Sequence, residues 1–291
     1  MGQNGRPDDE QRDGLDGASE NVSVVAPVLH ESAAGRFTVD ELVRARAAEE
    51  PRSLMARLFG VDPIGAESAP LFARVLGERA MGALFAQLDD SWTVLHSIPV
   101  GSSGDRLDHL LVGSAGVFAV TTRSHPGEDI SVSGRTVLVG ETKVAHIRDA
   151  ELALGNAERR LSASVGESLV VTGLLVFVDP KSLSLRAVPK DLEVLSSREV
   201  VQWLEAQPEV FDEAEAKRVA GVARLVSTWD APPAETQETA TDEFDGLLRL
   251  VARASSMRQL WFGTLILVIV VAATALATLA IVGMIPRGGP H

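Results

Sequence analysis

Glu78, Asp108 and Arg123 are the residues of this chain whose types and contexts could do chemistry together. Glu78 lies in "LGERAMGAL", Asp108 in "RLDHLLVG" and Arg123 in "VTTRSH". Two carboxylates on one small site can hold Mg²⁺ or Mn²⁺, and the ion then activates water and neutralises a scissile phosphate. An arginine beside them stays protonated at neutral pH. It cannot serve as a base, but it can grip a phosphate through two hydrogen bonds. The chemistry in prospect is the handling of a phosphodiester.

Each residue also has a plainer reading. A lone glutamate on a helix is usually a solvated or capping residue. Asp108 stands between Leu107 and Leu110 in an apolar strand, where a buried carboxylate needs a partner or a metal. A salt bridge to Arg123 would serve as that partner and would need no ion. His109, His125 and His146 match no zinc spacing. Arg135, Lys143, Arg148, Arg159 and Arg160 form either a basic patch near the sheet or ordinary solvated faces. The Gly101–Gly104 "GSSG" lacks the Lys-Ser/Thr and helix start of a phosphate cradle and reads as a flexible loop.

The elements that must position these groups follow from periodicity. "APLFARVLGERAMGALFAQL" repeats Leu71, Val75, Leu76, Ala80, Leu84 and Leu88 at helical spacing. "SWTVLHSIPV", "RLDHLLVG" and "GVFAVTT" read as strands, the last two joined by a tight glycine turn. "DISVSGRTVLVG" reads as a hairpin turning near Ser133–Gly134, and "HIRDAELALGNAERRLSASV" as a second long helix. "SLVVTGLLVFVD" has the continuous apolar run of a strand buried on both faces. "LEVLS" adds a strand. "SSREVVQWLEAQ", capped by Ser196 or Ser197, and "DEAEAKRVAGVARLVSTW" add helices. Upstream, "TVDELVRARAAEE" predicts a helix N-capped by Thr38, and "PRSLMARLFG" a short one ending at Gly60. The order implies an α/β mixed sheet flanked by helices.

With 291 residues the chain can bury a real core. It has no cysteine, which excludes disulfides and thiolate zinc sites. Its net charge of −13 makes it a poor generic binder of nucleic acid, so any such role must rest on a local basic patch or a metal. "LWFGTLILVIVVAATALATLAIVGMI", 260–285, carries no charge. It is long enough to cross a bilayer core of about 30 Å as a transmembrane helix, with Trp261 near its entry. Arg249, Arg253 and Arg258 precede it and only Arg287 follows, so the positive-inside rule places the N-terminal part in the cytoplasm. The polar N-terminus has no signal-peptide core. The expected organisation is a disordered segment at 1–35, a helical lead-in at 36–68, the domain at 69–230, a linker and juxtamembrane segment at 231–259, the membrane helix at 260–285 and a short tail at 286–291.

"GERAMGAL", "WTVLHSIPV", "LDHLLVGSAGVFAV", "GRTVLV", "HIRDAELA" and "LLVFVDP" together resemble the nuclease-related domain family, NERD, a branch of the restriction-endonuclease-like PD-(D/E)xK fold. The resemblance covers roughly Ala69 to Asp179, and "REVVQWLEAQPEVF" with "VARLVSTWD" resembles the continuation in actinobacterial members. It implies that Glu78 matches the family's helix glutamate and Asp108 its metal-binding aspartate. Arg123 falls where the family has a lysine and Thr121 where it has the Glu of ExK. Both are departures, and the second removes one charged ligand. Two functions stay open. One is a phosphodiesterase in which Glu78 and Asp108 bind Mg²⁺ or Mn²⁺ and Arg123 steadies the phosphate of DNA or RNA. The other is a non-catalytic module that binds nucleic acid or a protein partner at the membrane.

Overall fold

The computed structural model describes residues 29, 33–49, 53–100, 106–187, 189–229 and 238–284, with side-chain surroundings in the last stretch over 242–277. Most of the N-terminal segment expected to be disordered, the Gly101–Gly104 loop, the start of the linker and the tail lie outside the described residues. In chain order the elements are α1 (Arg36–Ala47), α2 (Leu54–Leu58), α3 (Ala69–Phe85), β1 (Thr93–Pro99), β2 (Arg106–Gly113), β3 (Gly116–Ser124), β4 (Asp129–Ser133), β5 (Thr136–Val139), β6 (Thr142–Val144), α4 (His146–Val165), β7 (Val171–Val178), β8 (Ser182–Ala187), β9 (Leu192–Ser196), α5 (Val200–Glu205), α6 (Glu213–Ala223), α7 (Val226–Trp229) and α8 (Glu238–Met284).

Two mixed sheets result. The larger runs β1-β2-β3-β7-β9, antiparallel through β1–β2–β3 and parallel from β3 to β7 and β9. The smaller runs β6-β5-β4-β8, with β4 and β8 parallel. Helices flank the larger sheet because its strands are apolar on both faces. On one face Leu110 and Val112 of β2 and Val117 and Ala119 of β3 pack on Ala153, Ala157 and Leu161 of α4 and on Val219 and Ala223 of α6. On the other, Leu111, Phe118 and Val120 pack on Met81 and Phe85 of α3 and on Val200 and Leu204 of α5. Residues one apart on a strand face opposite sides. β7 accordingly sends Leu174 and Val176 to the α3 side, and Leu175 and Phe177 to the cluster beneath the smaller sheet, as its unbroken apolar run predicts.

Three local features differ from the sequence reading. Thr38 does not cap α1. The helix starts two residues earlier, after Gly35 in the left-handed region (φ 79°), and Thr38 is buried inside its first turn. No Ser196 or Ser197 oxygen caps α5. Instead the Glu199 carboxylate reaches back to accept from the Ser196 backbone N–H at 3.3 Å and from its hydroxyl at 2.6 Å. Strands β6 and β8 are additions: both are short, mostly exposed edges held by backbone pairing, although β8 alternates Leu183 and Leu185 with polar residues.

The segment read as linker and juxtamembrane is helical from Glu238, and α8 runs unbroken into the apolar stretch. Its first half belongs to the domain: Phe244 and Leu247 are buried with Val39 and Leu42 of α1 and Val75 of α3. The Arg79 guanidinium lies 4.2 Å from the Phe244 ring centre. From Leu260 to Ala277 α8 is apolar and exposed, and it is long and apolar enough to cross a membrane.

Candidate functional site

Asp108 leaves β2 on the α4-facing side of the larger sheet, the face that Leu110 and Val112 share. Thr121 and Arg123 of β3 lie on that same face, in step with Val117 and Ala119. Glu78 arrives from α3, which presses closely on the end of β3. A Cβ on Gly77 would stand 2.8 Å from the Ser124 Cβ, so only glycine admits this approach, and it fixes the next residue, Glu78, by the end of β3. Helix α1 closes the arrangement from above. Phe37, Thr38 and Glu41 of α1, Arg74 of α3, Arg106 of β2 and Asp149, Leu152 and Asn156 of α4 complete a cleft of about 320 Å³ around Asp108, Thr121 and Arg123.

Asp108 and Glu78 are almost wholly buried, and both are bonded to the same guanidinium. Arg74 Nε donates to Glu78 Oε1 at 2.8 Å, and its Nη2 donates to Asp108 Oδ1 at 3.0 Å. Thr38 Oγ1 donates to the same Glu78 oxygen at 2.8 Å. The second Asp108 oxygen accepts from the Thr122 backbone N–H at 2.7 Å and has Arg123 Nη1 at 3.6 Å. Arg123 is itself held by the Thr122 carbonyl at 2.8 Å and by His146 Nδ1 at 3.3 Å, with Asp149 at 4.0 Å. Arg106 lies flat on Phe37, its guanidinium carbon 3.4 Å from the ring centre.

The electrostatics follow from this packing. Burial, with the Asp108 charge adding to it, pushes the Glu78 carboxyl up to about 7, against the pull of Arg74 and Thr38. Burial alone would lower the Arg74 pKa, but the Asp108 and Glu78 charges more than reverse it, so Arg74 stays charged. Burial and the neighbouring Arg123 push His146 down to about 3.

The expected residues therefore meet. Glu78 and Asp108 converge on one guanidinium, Arg123 stands beside Asp108, and Thr121 lines the same cleft. The sober alternative for Asp108 is present too, although its nearer arginine is Arg74. Of the histidines, His109 points to the opposite face of β2. His125 and His146 stack at 5.1 Å with their Nε2 atoms 2.8 Å apart. The basic residues disperse: Arg135 pairs with Glu151, Arg159 bonds to Asn156, and Arg160 Nε donates to the Val100 carbonyl. Sequence reasoning missed Arg74, Arg106 and the true role of Thr38. Arg74 had a signal, since it precedes Glu78 by one helical turn. Arg106 had one too, standing two residues before Asp108 and so on the same face of the strand; Thr38 had none, because α1 reaches the site only through folding.

A divalent ion between Glu78 and Asp108 does not fit this donor set. Such ions take six or more oxygen ligands, and the carboxylate oxygens facing the shared space are bonded to Arg74. Thr121 adds no charge, and an ion there would lie against a guanidinium. Among the described residues, no group of three or more His, Asp or Glu side chains is placed to hold a metal.

No curated protein and no solved structure gives a match to the chain. A family model does match, and it spans α3 from Ala73 through Asp108 and Arg123 to the end of β7, where both carboxylates and the two arginines beside them lie. Residues 73–178 match the nuclease-related domain, NERD.

Proposed function

We propose that the protein is a nuclease-related module, anchored to a membrane by α8, that binds the phosphates of DNA or RNA in its cleft without hydrolysing them. The observation that carries the reading is Arg74: its guanidinium occupies the place between Glu78 and Asp108 that a catalytic ion would need. Thr121 and Arg123, standing where a glutamate and a lysine belong in the resemblance, point the same way. A nuclease-related domain is compatible with nucleic-acid binding. Arg123 and Arg106 would receive a phosphate, with the Thr121 hydroxyl beside them, because both line the cleft, Arg123 makes only long ion pairs, to Asp108 at 3.6 Å and Asp149 at 4.0 Å, and Arg106 is spread on Phe37. Glu41 and Asp149 on the rim, and the net charge of −13, keep the affinity modest. The arginine excess before the apolar stretch supports a cytoplasmic domain.

Fluorescence anisotropy with labelled single-stranded DNA and RNA tests the reading on the full chain in lipid nanodiscs. Binding should persist in EDTA, leave the oligonucleotide intact and fall about tenfold in Arg123→Ala, the loss of one charge-assisted contact. With two phosphates engaged, log affinity should fall against log salt with a slope of only about −1 to −2. Absence of binding, or cleavage that needs Mn²⁺, would defeat it. The convergence of Glu78 and Asp108 favours a second reading, hydrolysis around a divalent ion, which requires Arg74 to withdraw. Calorimetry would then record Mn²⁺ binding that Asp108→Ala abolishes.

A further inference from the structure

Helix α2 and the turn after it expose an unusual run of apolar side chains. Leu54 is 80% exposed and Met55 64%, and Leu58, Phe59 and Val61 are each about half exposed. Single exposed apolar residues need no explanation, but five within eight residues form a patch that water disfavours. The run is not a loose flap. Ser53 caps α2 through the Ala56 N–H, the Phe59 ring lies 5.2 Å from that of Trp261, and Trp261 Nε1 donates to the Leu58 carbonyl at 2.9 Å. Gly60, with φ 65°, sits so close to α8 that a Cβ there would come within 2.5 Å of the Ala254 carbonyl oxygen and 2.8 Å of the Arg258 nitrogen. The patch is therefore clamped on α8 from Ala254 to the turn that holds Trp261.

That turn is where α8 changes character. Arg253 and Arg258 are its last charged residues, and from Leu260 to Ala277 the helix is apolar and exposed. A spanning helix places such a transition, marked by tryptophan and flanking arginines, at the headgroup level. The exposed α2 patch sits at that same height and continues the apolar surface of α8 sideways. Arg57, exposed in the last turn of α2, joins Arg253 and Arg258 as a cation at this level.

We infer that α2 and Phe59–Val61 form a second membrane contact, an apolar foot that inserts at the headgroup–acyl boundary beside the span, with Arg57, Arg253 and Arg258 on lipid phosphates. The inference rests on reading α8 as a membrane span. The foot fixes how the domain stands: with two points of contact it cannot swing freely about α8. Phe244, the α8 residue packed on α3, lies roughly 25 Å further along the helix axis from Trp261, so the cleft is held above the headgroups rather than laid against them.

The absence of cysteine permits a direct test. Full-length protein carrying one spin-labelled cysteine is placed in vesicles of phosphatidylcholine and phosphatidylglycerol, and label collisions with oxygen and with a nickel chelate are measured. Leu267→Cys reports the span, Leu185→Cys on β8 reports water, and Met55→Cys reports the foot. At Met55 we expect nickel collisions several-fold lower than at Leu185, oxygen collisions retained, and a depth shallower than Leu267. A Met55 label that behaves like Leu185 while Leu267 is immersed overturns the foot and leaves the span intact. Shielding of Met55 from both reagents indicates a protein contact, such as a second copy, and also overturns it. An aqueous Leu267 removes the span and the foot together.

Discussion

Asp108 and His109 are neighbours on β2, are equally buried, and face opposite sides of the same sheet. On one side the aspartate keeps company with Arg74, Arg123, Glu78 and the Thr122 N–H, at the floor of an open cleft. On the other, His109 is sealed beneath α3 against the edge of Phe85, with its Nδ1 2.7 Å from that of His96 and its Nε2 lacking a partner. Burial, with His96 adding to it, pushes His109 down to about 3. The difference shows how one sheet handles two buried titratable groups. On the cleft side the fold supplies counter-charges and donors; on the other it supplies an aromatic edge and a second imidazole, and His109 stays neutral.

The two faces should also respond to pH with opposite sign. Glu78 belongs to the charged side, and its pKa rises on folding from the usual 4.5 to about 7. The folded state thus holds the proton more tightly, and that contribution to stability is lost as pH climbs from about 4.5 to 7. His109 falls from 6.5 to about 3, so the unfolded chain holds its proton more tightly, and stability is lost as pH drops below about 6.5.

The largest effect is expected from Arg74→Met, which keeps the side chain's apolar stem but removes the guanidinium that Glu78 and Asp108 share. Breaking a buried pair costs about 3–5 kcal/mol. With Arg74 partly exposed, about 3 is expected in urea unfolding at pH 8, and less at pH 5.5, where Glu78 is protonated. A loss independent of pH would break the contrast between the faces. Next, His109→Gln should flatten the acid limb of the stability curve, removing on the order of 3 kcal/mol of loss between pH 6.5 and 4 and leaving the share that His146 contributes in the same direction. Glu78→Gln should do the reverse. It should raise stability by about 2 kcal/mol at pH 8, with the gain vanishing near pH 4.5. A destabilised Glu78→Gln at pH 8 would mean that the Arg74 pair outweighs burial. Smallest is Thr38→Val, which removes one hydroxyl donor to a carboxylate. We expect a loss of about 1–2 kcal/mol by the same measurement, and a Glu78 pKa raised further, read by NMR titration.

The sequence made the frame legible where patterns were long. The twenty-residue helix that became α4 and the doubly buried β7 were visible from periodicity alone, because a continuous apolar face needs a partner wherever the chain goes. The exposed edges β6 and β8 were not: β6 is three residues long, and the alternation of Leu183 and Leu185 in β8 runs over only six. At the site, Glu78, Asp108 and Arg123 stood out as charged residues in apolar or family-like settings. Arg74 did not, although it touches both carboxylates, because an arginine on a helix is commonplace until its neighbours in space are known.

The order of residues by itself determined which segments could be helix or strand, that no thiol chemistry is available, and that one stretch is apolar enough to leave water for lipid. These depend on local pattern and composition. The tertiary structure alone decided that Arg74 spans the two carboxylates, that Thr38 serves Glu78 rather than its own helix, and that α2 is pinned beside Trp261. Apart from the Arg74–Glu78 pair within one helical turn, such contacts join residues 34 to 203 positions apart. The Coulomb and hydrogen-bond energies behind them depend on distances of a few ångströms, which only the folded chain defines.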